Sequence, residues 1–425
     1  MTGVCVIYEQ PKFRSVYEGL TEAGMSSEDN DSTAILVWHD SLKDIDFFVP
    51  LKPWQIINRI PCINLLCKKG TYAYVVQKIQ NIYPKLYTFM PSTFILPFKN
   101  KEMIENRAKS DKTYIYKPNG GSQGSGIIVL KPGDDFVPDD SKLAVVQEYI
   151  RSYLIDNTKF DLRLYVLVAS LNPLRIYVYR NGLARFCSEE ANGQSVFSQL
   201  TNVTLNRANP TADISEVSQM ITDIVPKLEA KGVNMKELWQ RIDNAIVLTI
   251  ISAHRYLSIA EEWHCPIIGY PRCFQVLGFD VLLDQNLNPW ILEVNNRPSL
   301  DYYRGKERRM KVGMIRDAAR IACPMNMAQA AIISRKWGWD EESWRNFINN
   351  TPQIMEQAKI QRKQALKNSL FEKAFPNKYH PQYENWLKVK KTVGLIPVEE
   401  MPNFKLPPGK QFLKEQITPV KIIAK

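Results

Sequence analysis

Cys273-Phe274-Gln275-Val276-Leu277-Gly278-Phe279-Asp280-Val281-Leu282-Leu283, followed by Pro289-Trp290-Ile291-Leu292-Glu293-Val294-Asn295-Asn296-Arg297-Pro298, decides the fold of this chain. Two apolar runs flank Asp284-Gln285-Asn286-Leu287-Asn288, a segment of turn-forming residues, and together they predict a β-hairpin. Strand side chains alternate with period two, so Asp280 can face Glu293, and Asn295 shares the face of Glu293. Three oxygen donors then converge between the apolar flanks Val-Leu-Leu and Trp-Ile-Leu. Carboxylates in such strands need a cation or hydrogen-bond donors. Hard oxygens suit Mg²⁺, which keeps some of its waters and takes its other ligands from substrate phosphates. Asp280, Glu293 and Asn295 are therefore the candidate metal ligands. The alternative, solvated acidic residues on an amphipathic hairpin, fits the continuous apolar flanks less well.

Working outward, Lys159-Phe160-Asp161-Leu162-Arg163-Leu164-Tyr165-Val166-Leu167-Val168 reads as a strand with Lys159, Asp161 and Arg163 on one face. Three charges leading into an apolar strand are costly unless they are paired or hold a ligand, and both a ligand-facing strand and an ion-pair ladder are consistent with the pattern. Tyr114-Ile115-Tyr116-Lys117-Pro118-Asn119-Gly120-Gly121-Ser122-Gln123-Gly124-Ser125-Gly126-Ile127 carries a lysine into a glycine-rich loop. Backbone N–H groups at Gln123, Gly124, Ser125 and Gly126 can surround phosphate oxygens beside the Lys117 charge. A strand rather than a helix follows, and GxxxxGK[ST] is absent, so this is neither a Walker A loop nor a dinucleotide turn. A glycine-rich hairpin with a surface lysine is the competing reading. Lys142–Ile150 is an apolar strand ending in Gln147-Glu148-Tyr149-Ile150, suited either to a hinge whose backbone hydrogen-bonds adenine or to a plain edge strand.

At 425 residues, 45% hydrophobic and 23% charged, the chain should fold as two or three coupled lobes. It shows no signal pattern and no stretch able to span a bilayer, so a cytoplasmic protein without a membrane contact is expected. Seven cysteines without a CxxC pair argue against a disulfide framework or a zinc ribbon, and four scattered histidines against a histidine metal site. The net charge of +11 is localised, because residues 359–425 hold 14 Lys+Arg against 5 Asp+Glu, a surplus of nine. That asymmetry points to an acidic partner, which could be nucleic acid, anionic lipid or an acidic protein tail, or to a merely solvated surface. Asn181-Gly182 reads as a type I′ turn between Leu174–Arg180 and Leu183–Phe186. Residues 213–260 and 344–373 carry helical periodicity, and a proline-rich tail closes the chain.

Taken in order, Lys-Pro-Asn-Gly-Gly-Ser-Gln-Gly-Ser-Gly-Ile, Lys-Phe-Asp-Leu-Arg, Leu-Thr-Asn, Gly-Phe-Asp-Val-Leu and Leu-Glu-Val-Asn resemble the tubulin tyrosine ligase-like family of the ATP-grasp superfamily, over about residues 35–330. The resemblance implies an α/β (α+β) ATP-grasp fold with nucleotide between two β-sheets. It would divide into an N-terminal lobe (1–110), a central lobe (111–185), a C-terminal lobe with the metal site (186–335) and a basic helical extension and tail (336–425). It places phosphate-contacting lysines at Lys69 and Lys117 and nucleotide-proximal groups at Lys159 and Asp161. The active-site residues would be Arg163, Arg185 and Asn202, with Glu293 catalytic as well as metal-binding beside Asp280 and Asn295. Gln199 and Arg207 depart from the histidine and lysine usual around Leu200-Thr201-Asn202.

The resemblance further implies ATP and Mg²⁺ as cofactors and acyl-phosphate chemistry without a covalent enzyme intermediate. The substrates would be free glutamate and the acidic C-terminal tails of tubulin, with glycylation and tyrosination as alternatives. The protein would act as a monomer in the cytoplasm and on the cytoskeleton, including the cilium or flagellar basal body. The helix bearing Lys359, Arg362, Lys363 and Lys367 would touch the microtubule. A microtubule-binding pseudoenzyme is the rival of another class, though the intact Lys117, Asp280, Glu293 and Asn295 speak against it. A nucleic-acid-binding protein lacks any recognised module.

Overall fold

The computed structural model describes residues 4–9, 13–27, 35–40, 48, 51, 55–120, 124–191, 195–213, 215–265, 270–303, 305–323, 341–377 and 383. Gln123, Ile214 and the basic tail beyond residue 377, apart from Tyr383, lie outside the described residues.

Among the described residues, three sheets organise the chain. Val4–Glu9, Met25–Ser27, Leu36–His39 and Ile56–Ile57 pair in parallel. Thr93–Leu96, Ala144–Glu148, Tyr114–Pro118 and Ile128–Leu130 form an antiparallel sheet in that spatial order. The third sheet has seven strands, with Ser218–Met220, Leu174–Phe186, Thr158–Leu171, Gln275–Leu283 and Pro289–Asn295 in sequence across it, and Leu154–Ile155 and Phe371–Phe375 attached. The molecule is thus a mixed α/β protein. No helix among the described residues is long and apolar enough to cross a membrane.

The strand Thr158–Leu171 shows how the sequence positions the site. Phe160, Leu162, Leu164, Val166 and Val168 join one buried cluster with Ile246, Ile250, Ala253 and Leu257 of the helix Met235–His264. Asn234 starts that helix by accepting a hydrogen bond from the Glu237 amide at 3.3 Å, satisfying one orphan donor. On the other face, Tyr165, Leu167 and Ala169 pack with Met310, Met314, Ile315 and Ala318 of the helix Gly305–Ala322. This second helix covers only the later part of the strand. Lys159, Asp161 and Arg163 occupy the same face before that cover begins, so alternation leaves them pointing into a gap between elements. At roughly 1.5–3 kcal/mol per fully buried large apolar side chain, the covered face offsets the cost of holding three charges at the strand start.

Asn181-Gly182 does not turn the chain. Leu174–Phe186 is one continuous strand, and its hairpin with Thr158–Leu171 turns at Asn172-Pro173 instead. Leu164 pairs with Gly182 and Val166 with Val178, so residues 179–181 form a bulge. The glycine serves close approach: a Cβ at Gly182 would lie 2.3 Å from the Arg163 carbonyl oxygen. The expected helix 344–373 is also shorter. It runs Glu341–Lys367, and Phe371–Phe375 then adds to Leu174–Phe186 as a strand, burying Phe371, Ala374 and Phe375. Arg180 clamps that addition, with Nε 2.8 Å from Glu372 and its Nη groups 2.7 and 2.6 Å from Asp243. Of the four basic residues expected to face a partner, Lys359, Lys363 and Lys367 are exposed. Arg362 turns inward and donates to the Ile321 carbonyl at 3.0 Å; burial, with Arg175 nearby, brings its pKa down to about 10.

Candidate functional site

The antiparallel sheet and the seven-stranded sheet border one cavity. Lys69, Lys117, Gly124, Ser125, Gln147, Glu148, Tyr149, Ile150, Lys159, Asp161, Arg185, Asn202, Asp280 and Glu293 all line it, so residues scattered over more than two hundred positions converge. Arg163, Gly126 and Asn295 stand just behind the lining: Arg163 against Asp280, Asn295 against Glu293, and Gly126 beside the Pro118 ring. Ile115, Ile127, Leu282 and Leu292 add apolar walls, and Gln199 and Thr201, from the segment around Leu200-Thr201-Asn202, add polar groups.

The charged strand proves to be an ion-pair ladder inside that cavity. Asp161 sits opposite Arg185, Arg163 opposite Asp280, and Asp280 opposite Glu293 in the strand registers. Arg185 donates to both oxygens of Asp161, each at 2.6 Å, and also lies 2.8 Å from Asp280 Oδ2. Thr201 Oγ1 donates to Asp161 Oδ2 at 2.6 Å. Arg163 grips Asp280 through Nε at 2.5 Å and Nη2 at 3.0 Å. Burial works against the charges of Arg163 and Arg185, yet the carboxylates of Asp280 and Asp161 outweigh it and raise both pKa values. Asp280 is likewise buried, but the two arginines hold it well below the usual carboxylate range. The ladder fixes Arg185 and Asp280 in place without side-chain freedom.

Glu293 stands at the end of this ladder under different constraints. Burial and then the neighbouring Asp280 push its pKa upward, and the two carboxyl groups share a hydrogen bond. Two adjacent carboxyl groups, one disfavoured as an anion by burial and by its neighbour, fit a place where a divalent cation would neutralise them. Asn295 pairs in register with Gly278, and its Nδ2 donates to Glu293 Oε1 at 3.2 Å, which steers the carboxylate. Lys69, at the first turn of the helix Lys69–Gln80, approaches Glu293 Oε2 to 3.8 Å. Asp280 already accepts three bonds from arginine, and a carboxylate offers about four lone-pair sites, so one remains for a metal. The donor set Asp280, Glu293 and Asn295 therefore fits Mg²⁺, whose remaining ligands would come from substrate phosphates and water. Among the described residues no group of three or more His, Cys, Asp or Glu forms a self-sufficient metal site.

Across the cavity, Lys117 donates to Gln147 Oε1 at 2.9 Å, and Gln147 Nε2 donates in turn to Thr93 Oγ1 at 3.0 Å. Gln147 thus orients the lysine through its side chain, a role the hinge reading did not anticipate. The amides of Glu148 and Tyr149 donate to the Ser92 and Thr113 carbonyls at 2.9 Å, so those two N–H groups are already committed within the chain. Lys159 Nζ donates to Tyr149 Oη at 2.6 Å and lies 4.1 Å from its ring centroid. Gly124 has φ +85°, and a Cβ there would come 3.2 Å from the Asn202 side chain, so the glycine-rich loop closes against Asn202, the N-cap of the helix Val203–Arg207.

Burial brings the Lys117 pKa down to about 8, Glu293 opposing the shift and Lys69 and Lys159 reinforcing it. Its cation is present below that pH and lost above it. Phosphate affinity should therefore be level below about pH 8 and fall as pH rises through that value. Titration of a non-hydrolysable ATP analogue into the full chain measures this, and Lys117→Met should flatten the profile. An unchanged slope in that variant would exclude Lys117 as the titrating phosphate contact.

The model of the tubulin-tyrosine ligase family matches residues 49–331. Tubulin polyglutamylase TTLL6 of Homo sapiens is 34% identical over 330 residues, which cover 73% of this chain and 35% of that protein. Tubulin polyglutamylase TTLL13 of Mus musculus is 32% identical over 326 residues, 73% of this chain and 40% of the relative. Tubulin polyglutamylase TTLL11 of Homo sapiens is 33% identical over 358 residues, 75% and 50% respectively. The chain matches between about a third and a half of the length of these relatives.

Proposed function

This chain belongs to the tubulin-tyrosine ligase family, and on that premise we propose that it is an ATP-dependent ligase that adds glutamate to glutamate residues in tubulin C-terminal tails. The observation that carries the proposal is the convergence of Lys69, Lys117, Asp280 and Glu293 on one cavity between two sheets. That arrangement can hold a nucleotide triphosphate and concentrate positive charge where its γ-phosphate would lie. The acceptor carboxylate would take the γ-phosphoryl group of ATP, releasing ADP, to become an acyl phosphate, and the amine of the incoming amino acid would attack its acyl carbon, forming the amide bond and releasing inorganic phosphate. Bound Mg²⁺ would supply charge neutralisation at the phosphates.

The chain's own residues do the rest. Lys117, set by Gln147, and Lys69, set near Glu293, neutralise phosphate charge, and aimed groups of this kind typically contribute on the order of 10²–10³ each in rate. Backbone N–H groups around Gly124 and Ser125 approach phosphate oxygens, and Asn202 closes over them. Arg185 presents a fixed donor toward the cavity, while Arg163 holds Asp280 from behind and keeps it ionised. Tyr149 fixes Lys159 at the cavity wall. The three-lobed ATP-grasp division, the nucleotide between the sheets and action as a monomer belong to the same proposal.

Glutamate is chosen over glycine or tyrosine because the relatives named above are polyglutamylases. Lys359, Lys363 and Lys367 form the exposed basic ridge that would meet an acidic microtubule surface, and the protein is placed on the cytoskeleton, cilia included. The test is incubation of the full chain with tubulin, ATP, Mg²⁺ and each of glutamate, glycine and tyrosine, followed by mass measurement of the tails. Tails that gain multiples of glutamate mass support the proposal. No gain with any amino acid, under conditions where ATP binds, defeats it.

A further inference from the structure

A second groove lies beside the cavity, and two elements of the chain carry residues of both. The helix Val203–Arg207 starts at Asn202 on the cavity wall and ends at Arg207 in the groove, a Cα separation of roughly 8 Å at about 1.5 Å per residue. Arg185 of the ladder pairs with Ser218, and Leu183, Ser218 and Met220 line the groove on the far side of that pairing. Its volume of about 820 Å³ suits several residues of a chain rather than one amino acid.

Two of the charges lining the groove, Glu216 and Arg207, have no ionic partner among the described residues. Lys306 pairs with Asp223 at 3.1 Å, Glu307 with Lys311 at 2.8 Å, and Glu216 accepts from Gln219 at 2.7 Å. Arg207 pairs with no carboxylate among the described residues. Its guanidinium carbon lies 4.1 Å over the Tyr303 ring, and its Nε is buried without a hydrogen-bond partner. A half-buried guanidinium pre-oriented by stacking, with its Nε donor unsatisfied, matches a carboxylate in both shape and charge. The groove's other cation, Lys306, is paired with Asp223, and Glu216 is acidic, so the groove is not a broad basic field, and Arg207 is the one cation lining it without a carboxylate among the described residues.

We propose that Arg207, held on Tyr303, seats a second side-chain carboxylate of the acidic acceptor chain, two or three residues from the carboxylate that reacts. The spacing follows from the roughly 8 Å offset and a rise of about 3.3 Å per residue in an extended chain. The proposal rests on the ligase reading above and adds that acceptor choice is read at a distance from the chemistry.

The test compares the full chain with Arg207→Met, Arg207→Lys and Tyr303→Leu. The probe is a fluorescent glutamate-rich peptide and versions of it with glutamine replacing one glutamate at a time. Loss of one charge-assisted pair predicts that Arg207→Met weakens peptide binding and raises the peptide KM about tenfold, with the KM values for glutamate and ATP unchanged. Arg207→Lys should recover part of this. In the unsubstituted protein one glutamine peptide should show the same loss, and Arg207→Met should no longer distinguish it. Equal peptide binding by the unsubstituted protein and Arg207→Met overturns the proposal, as does a raised glutamate KM with the peptide KM unchanged, which would assign the seat to the free amino acid. Binding is measured without turnover. A chain that binds the peptide in this Arg207-dependent way without extending it defeats the ligase reading and leaves the seat standing. A chain that extends the peptide equally well with Arg207→Met defeats the seat alone.

Discussion

Glu293→Gln is expected to leave the protein folded and able to bind nucleotide while lowering ligation by at least on the order of 10²–10³-fold, the range for removing one group aimed at developing charge. Two observations separate the expected loss from a loss of structure. The partners of Glu293 are the neighbouring Asp280 carboxyl group, the Asn295 amide at 3.2 Å and Lys69 at 3.8 Å, and its side chain is one-third exposed. Glutamine keeps the shape, still accepts from Asn295 through Oε1, and removes the like charge beside Asp280. Stability should therefore change by less than about 1 kcal/mol, as for weakly paired, partly exposed charges. What disappears is the anionic oxygen nearest the cavity, since the other carboxylate, Asp280, is already engaged by two arginines. Thermal melting, binding of a non-hydrolysable ATP analogue and single-turnover ligation check the three parts separately. A variant that retains more than a tenth of the ligation rate would falsify the assignment of Glu293 to the reacting centre.

How much of this site could be read from the chain alone depends on the range of the interaction that creates it. The hairpin Gln275–Leu283 with Pro289–Asn295 was legible because period-two alternation and a turn-rich link are local, and Asp280 does pair opposite Glu293. The charged face of Lys159, Asp161 and Arg163 was legible for the same reason. Whether those charges were paired or open was not, because the answer lies in the register of two further strands, which sets Arg185 against Asp161 and Asp280 against Arg163. Asn181-Gly182 misled because turn chemistry reports a backbone preference and not its use. Here the glycine admits the Arg163 carbonyl within a continuous strand. Gln147 and Thr201 lie in segments the sequence marked, but their roles were not legible: each acts through a side-chain hydrogen bond to a residue dozens of positions away. Arg362 belonged by composition to a solvated basic run, and only the packing of the helix Glu341–Lys367 on the helix Gly305–Ala322 turned it inward.

The ladder predicts the largest stability effect. Asp161 is 1% exposed and receives two bonds from Arg185 and one from Thr201, all at 2.6 Å. Asp161→Asn removes the charge from a buried pair and sets an amide donor against guanidinium donors. Breaking one side of such a pair costs about 3–5 kcal/mol, a large fraction of the roughly 5–15 kcal/mol that holds a typical domain together. Urea denaturation should show the loss as a lower midpoint with little change in slope. Desolvation makes the pair a weak net stabiliser even though breaking it is costly, so Asp161→Leu combined with Arg185→Met should recover most of the lost stability. It should not recover ligation, because Arg185 also lies 2.8 Å from Asp280 and lines the cavity. A single variant that loses less than about 1 kcal/mol, the value of an exposed ion pair, would mean that the ladder is not energetically buried. A double variant that is stable yet inactive would separate the two roles: the pair is retained at this strand for the fixed position it gives Arg185 and Asp280, and the apolar face of Thr158–Leu171 carries the folding energy.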